Sequence, residues 1–218
     1  MDILYEDNHI LVANKPAGLL TQPSGTDLDS LEDRAKAWIK EKYQKPGNVF
    51  LHAVHRIDRP ASGVVLFART SKALSRLNES MRSKETRKVY LTIVCGIPKK
   101  PKAALEHLMV HGDHEAKLAT ILTPNAVLAK LRYTTITTTD GLSLLEVELD
   151  TGRYHQIRLQ MSAIGCPILG DIRYGGRPWK YPDQIALHHH KLVIPHPITR
   201  ELLEFVAPSP PLWPVASP

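Results

Sequence analysis

Residues 55–70 read HRIDRPASGVVLFART, a polar loop running straight into a short apolar segment. From Gly63 to Ala68 the run GVVLFA has the length of a buried strand. Ser71 then caps a helix in which Leu74, Leu77 and Met81 recur at helical spacing. Upstream, ILYEDNHILVANKPAGLL (3–20) predicts two strands around the polar turn Glu6-Asp7-Asn8, closed by a KPAG turn. Ser30 with Asp33 three residues on predicts a helix start, Leu31, Ala35, Trp38 and Lys42 share one face, and residues 44–48 end that helix. Downstream, VYLTIV (89–94), LRYTTITTT (131–139) and LLEVEL (144–149) are β-branched or alternating and predict neighbouring strands. The turn Asp150-Thr151-Gly152 leads to a helix that buries Ile157, Met161 and Ile164, with Gly165 as its stop. Strand and helix mix without regular βαβ alternation, which predicts an α/β protein of the α+β type with an antiparallel or mixed sheet.

The 218 residues carry 28 Lys+Arg against 22 Asp+Glu, a net charge of +6, with 43% hydrophobic and 23% charged residues. Such a composition buries a real core and excludes wholesale disorder. No apolar run reaches the roughly 18 residues that span a bilayer. The opening MDILYEDNHI places acids where a secretory signal carries bases, so a cytoplasmic protein without a membrane partner is expected. Cys95 and Cys166 stand far apart with no CxxC, which argues against a disulfide framework or a cysteine-built zinc site. The basic balance is compatible with a polyanionic partner.

GxGxxG, GxxxxGK[ST], HExxH and GxSxG are all missing, so no nucleotide cofactor is expected. Two segments crowd charge against apolar elements: residues 52–63 and 150–165. In the first, Asp58 lies between Arg56 and Arg59, and a carboxylate beside guanidinium groups stays ionised and able to act as nucleophile or base. The same Asp58 also suits an Asx turn before Pro60. In the second, Arg158 sits one step round from the apolar helix face, aimed either at a cleft or at solvent. His188 and His190 share a strand face opposite His189, and His107, His111 and His114 have helix-like spacing. Neither group has a carboxylate or cysteine at ligand spacing, so no metal is expected. The run 98–102, PKKPK, reads as a solvated loop able to touch phosphate.

Taken in order, residues 7–20, 55–70, 87–96, 150–176 and 186–210 resemble the RluA family of RNA pseudouridine synthases, most specifically in HRID..ASG and TGR.HQIR...G.PI.GD..YG. The resemblance implies a pseudouridine synthase catalytic domain over residues 1–210, a mixed, largely antiparallel sheet flanked by helices and loops around a central cleft. Residues 211–218 would be a Pro-rich tail, with no room for the S4 RNA-binding domain that relatives often carry. It implies Asp58 as the catalytic aspartate, Tyr90 as the active-site tyrosine and Arg158 as the base paired with the aspartate. Arg56, Leu159, Arg153, His155 and Gln156 would contact the substrate, Arg56 beside the flipped nucleotide and Leu159 at the uracil. Ala61 and Tyr154 depart from the threonines common at these two places. The implied activity is cofactor-free isomerisation of uridine in structured ribosomal or transfer RNA by a monomer, with no DNA partner. The competing reading is a non-catalytic RNA-binding or chaperone module of the same fold.

Overall fold

The computed structural model describes residues 1–83, 85–211 and 213. The described residues pack as two units, one drawn from residues 1–88 with 189–208 and the other from residues 89–188 with 209–211 and 213. Of the tail 211–218, only Pro211 and Trp213 are among the described residues.

In the first unit, β1 (Ile3–Glu6) and β2 (Ile10–Lys15) form an antiparallel hairpin, and β2 pairs antiparallel with β4 (Ser62–Ala68) from Ile10↔Ala68 to Lys15↔Gly63. The two-residue β3 (His52–Ala53) pairs with the far end of β4. The expected turn after Glu6 is held by the Asp7 carboxylate, which accepts the N–H groups of His9 and Ile10 at 2.7 and 2.8 Å. α1 (Leu31–Lys42) begins at Ser30, whose hydroxyl accepts from the Asp33 N–H at 3.1 Å, and buries Leu31, Ala35 and Ile39. α2 (Ser71–Arg82) starts one residue earlier than Ser71 capping would allow. Its cap is Thr70, extended in backbone, whose hydroxyl accepts from Ala73 N–H at 3.1 Å. The core joins Ile10, Val12, Val64, Leu66 and Leu77 to Leu192 and Phe205 of the C-terminal segment, with Leu74 and Met81 packed at its edge.

In the second unit, β5 (Arg87–Cys95, from Val89 onward), β9 (Leu142–Leu149), β8 (Val127–Thr139), β6 (Lys102–His111) and β7 (Ala116–Leu118) lie side by side in that order, each described pair antiparallel. Asp140 and Gly141, at φ 53 and 71, form the two-residue link between β8 and β9. This is the backbone a tight hairpin demands, since its twist matches that of the strands. β6 overturns the helical reading of His107, His111 and His114. Exposure alternates along the strand, so His107 and His111 share a strand face and His114 lies in the following turn. α3 (Gln156–Ala163) is buried from Gln156 through Met161, while Ile164 is its half-exposed C-cap and not part of the buried face. Gly165, at φ 77, takes the left-handed stop, and Cys166 N–H returns to Met161 O at 3.0 Å. β10 (Leu187–Pro195) carries His188 to His190, and its segment beyond His188 pairs with β11 (Leu202–Val206) in the first unit.

Candidate active site

The loop of residues 54–61 connects β3 to β4 and carries Arg56 exposed and Asp58 half-buried. Gly63, which follows it, sits at φ 113, and a Cβ there would stand 2.3 Å from the His189 carbonyl oxygen. Only glycine lets β4 enter at that point. Before Asp58, both backbone groups of Ile57 are held by Thr21: its hydroxyl accepts the Ile57 N–H at 3.3 Å and donates to the Ile57 carbonyl at 3.0 Å. After it, Ala61 N–H donates to the Asp58 carbonyl at 3.0 Å, closing a turn. The Arg59 carbonyl accepts from Gly18 N–H at 2.8 Å and from Lys15 Nζ at 3.2 Å.

Lys15 is wholly buried, with its ammonium donating to the carbonyls of Leu19 at 2.6 Å and Pro16 at 3.0 Å as well. Burial pushes its pKa down to about 7, against the opposing pull of the Asp58 carboxylate. That attraction is mutual, so a protonated Lys15 favours ionised Asp58. His55, half-buried in the same loop, accepts the Leu66 N–H on Nε2 at 3.2 Å. Desolvation, with help from the Lys88 charge, holds its pKa down to about 3. It is a neutral acceptor of a backbone N–H.

The other expected residues belong to the second unit. Tyr90 lies on β5 opposite Val147, 7% exposed. Arg158, on α3, is neither solvated nor pointed outward: it is buried, and Nε and Nη2 grip the Asp171 carboxylate at 2.7 and 2.8 Å. Its Nη1 donates to His155 Nε2 at 2.8 Å. Because a guanidinium only donates, His155 Nε2 must accept, and the ring proton is on Nδ1, which reaches the Tyr174 hydroxyl at 2.9 Å. That hydroxyl also accepts Ala116 N–H at 2.7 Å, and the Arg158 guanidinium carbon lies 5.0 Å from the Tyr174 ring centre. Burial, then the Arg158 charge, brings the His155 pKa down to about 3, so the imidazole stays neutral. His155 holds a left-handed backbone, φ 52, at the N-cap of α3 without capping it, its ring being committed to this network.

Gln156 is equally committed. Its side-chain oxygen accepts from Thr151 Oγ1 at 2.8 Å and Arg153 N–H at 3.0 Å, and its nitrogen donates to Lys130 O at 3.0 Å. Leu159 packs with Met109, Ala116, Ala129 and Tyr174. Arg153 is exposed and donates through Nε to the Leu128 carbonyl at 3.2 Å. Asp58 and Arg56 therefore sit together in one unit, and Tyr90, Arg153, His155, Gln156, Arg158 and Leu159 in the other. Lys15, Thr21, Asp171 and Tyr174 join the site without a role expected from the sequence. The KPAG turn and the GD..YG stretch, quoted above, were the available signals. No group of three or more His, Cys, Asp or Glu poised to hold a metal occurs among the described residues.

Comparison with known proteins identifies the family. A family model described as RNA pseudouridylate synthase matches residues 9–163. An uncharacterized RNA pseudouridine synthase, YhcT of Bacillus subtilis, is 34% identical over 96% of this chain and 69% of its own. The dual-specificity RNA pseudouridine synthase RluA of Haemophilus influenzae is 34% identical over 96% of this chain and 93% of its own. The solved structure of human RNA pseudouridylate synthase domain containing 4 shares the fold, at TM-score 0.80 and 24% identity over 96% of this chain and 89% of that one. These relatives are named as enzymes, which goes against the purely binding alternative. The chain belongs to the RNA pseudouridylate synthase family, of the RluA type, and is an enzyme that isomerises uridine to pseudouridine in RNA.

Proposed function

We propose that the isomerisation runs through Asp58, with Arg158 as the cation that keeps it ionised and Tyr90 as the aromatic surface for the uracil. The reaction breaks N1–C1′, turns the uracil, joins C5 to C1′ and removes the C5 proton while N1 gains one, with no net redox change. Nothing in that balance calls for a cofactor. Asp58 works as a carboxylate whether it attacks C1′ or takes a sugar proton, and the Lys15 charge beneath its loop favours that form. The observation that carries the reading is this loop, whose backbone is fixed on both sides of Asp58 by Thr21, Gly18 and Lys15.

The target base must leave its stack, which costs a few kcal/mol and is offset by stacking and phosphate contacts. Arg56 and Arg153, both exposed, are assigned to the RNA, and Leu159 to the uracil pocket. His155 and Gln156, whose polar atoms are taken up inside the protein, contribute by holding Arg158 and the turn before α3. The substrate is a structured ribosomal or transfer RNA, in keeping with relatives named for dual specificity and for the ribosomal large subunit. The protein acts on it in the cytoplasm as a monomer, without DNA or a membrane. Among the described residues no helix is long and apolar enough to cross a membrane.

Carbodiimide-stop primer extension on ribosomal and transfer RNA from cells with and without the gene tests the reading. The expected result is one or a few stops lost on deletion and restored by the wild-type gene. Identical pseudouridine maps in the two strains contradict it.

A further inference from the structure

Tyr154 is a large aromatic residue left 40% exposed at the mouth of α3, where the pattern described above carries threonine. Its ring lies parallel to His155, with centroids 3.8 Å apart and planes 19° apart. His155 is itself immobilised between Tyr174 and Arg158, so Tyr154 rests on a rigid base. On the strand side, exposed His111 packs against Tyr154 with ring centres 4.4 Å apart and planes inclined by 41°. Neither the Tyr154 hydroxyl nor the His111 ring nitrogens have a hydrogen-bond partner among the described residues.

Two arginines flank the rings. Arg153 precedes Tyr154 and donates to the Leu128 carbonyl, and Arg173 donates to the His114 carbonyl in the turn that follows His111. Both hold carbonyls and not carboxylates, so their positive charge is undiminished. The acids of that turn are already engaged: Glu115 pairs with Lys117 at 3.0 Å and Asp113 lies 3.4 Å from His114. A cluster of partly exposed aromatic rings beside guanidinium groups that hold no carboxylate suits an unpaired nucleotide, whose base stacks while its phosphate meets the cation.

We propose that Tyr154, with His111 beside it, is a stacking platform for an unpaired base of the substrate RNA, and that Arg153 and Arg173 hold the adjoining phosphates. The inference rests on the RNA-isomerase activity, and adds to it a residue that sets substrate fit. Tyr154 stacks on the ring that accepts from Arg158, so the platform rests against a neighbour of the residue assigned to the reaction.

The test is tritium release from bulk transfer and ribosomal RNA carrying 5-tritiated uridine, prepared from cells lacking the gene, with KM and kcat measured separately. Tyr154→Ala is expected to raise KM between about 5-fold and 150-fold with kcat changed less than twofold. Tyr154→Phe should return KM to within about twofold of the original, because the ring and not the hydroxyl does the stacking. Replacing Arg153 and Arg173 by Gln should each lower the slope of log KM against log salt by about 1. An unchanged KM in Tyr154→Ala, or a loss confined to kcat, overturns the platform while leaving the isomerase intact. Tyr154→Phe behaving like Tyr154→Ala also overturns it. No tritium release by the unsubstituted protein removes the activity itself, and the platform with it.

Discussion

The Asp58 loop and the Arg158 helix hold their principal residues by opposite means. Around Asp58 the restraints fall on the main chain: Thr21 takes both backbone groups of Ile57, and Lys15 and Gly18 take the Arg59 carbonyl. Around Arg158 they fall on the side chain, with Asp171 and His155 binding three of its N–H groups. Fixing the chain on both sides of a carboxylate that must react sets where it stands. An arginine that must only present charge can be gripped directly, and a bidentate grip sets the plane of its fork.

This contrast orders the effects of substitution. Asp171→Ala strands a buried guanidinium and is expected to destabilise the protein by about 3–5 kcal/mol in urea unfolding. The double variant Asp171→Ala, Arg158→Met should recover much of that loss, since neither charge is then left alone. Additive losses would show that the pair is not a unit. Thr21→Val should cost less, about 1–3 kcal/mol, by leaving the Ile57 backbone groups unsatisfied, while reducing turnover through the displaced Asp58. Stability falling with turnover unchanged would mean that the loop anchors do not position Asp58.

The two regions respond to pH in the same direction but over different windows. Lys15 has its folded-state pKa lowered to about 7, so between pH 7 and its ordinary 10.5 the unfolded chain binds more protons at this residue. Its contribution to stability therefore rises with pH through that window, by up to about 1.4 kcal/mol per pH unit. Lys15→Met should flatten the rise in thermal melts taken from pH 7 to 9. His155, lowered to about 3, contributes stability that is present above its ordinary 6.5 and lost as pH falls toward 3. Melts from pH 6.5 to 4 should show that loss, and His155→Gln should reduce its slope. The smallest effect belongs to the start of α1, where Ser30→Ala should cost about 1 kcal/mol through the lost Asp33 N–H acceptor.

The same contrast explains what could be read from the sequence. α1 and its Ser30 cap, the strands of residues 89–94 and 144–149, and the turn after Glu6 were legible because their signals are local. The α2 cap fell on Thr70 and not Ser71, since both can accept and only the chain direction decides. β6 was obscured because its histidine spacing fits a helix, although burial alternates along it. Asp58 and Arg158 stood out within recognisable stretches, but their supports did not. Lys15 and Arg59 are 44 residues apart, Thr21 and Ile57 36, and Arg158 and Asp171 13. Residue type announces a buried lysine or aspartate only once the fold has chosen which carbonyl or guanidinium it meets.

The central claim is that Asp58 carries the isomerisation and that the rest of its loop exists to hold it. Asp58→Asn keeps size and backbone while removing the charge, so it separates reaction from binding. With RNA carrying 5-tritiated uridine, the expected result is loss of tritium release by at least about 10³-fold, the scale of a lost covalent or proton-transfer catalyst, with RNA binding kept by filter assay. Release at the original rate by a folded, RNA-binding Asp58→Asn protein would contradict the account.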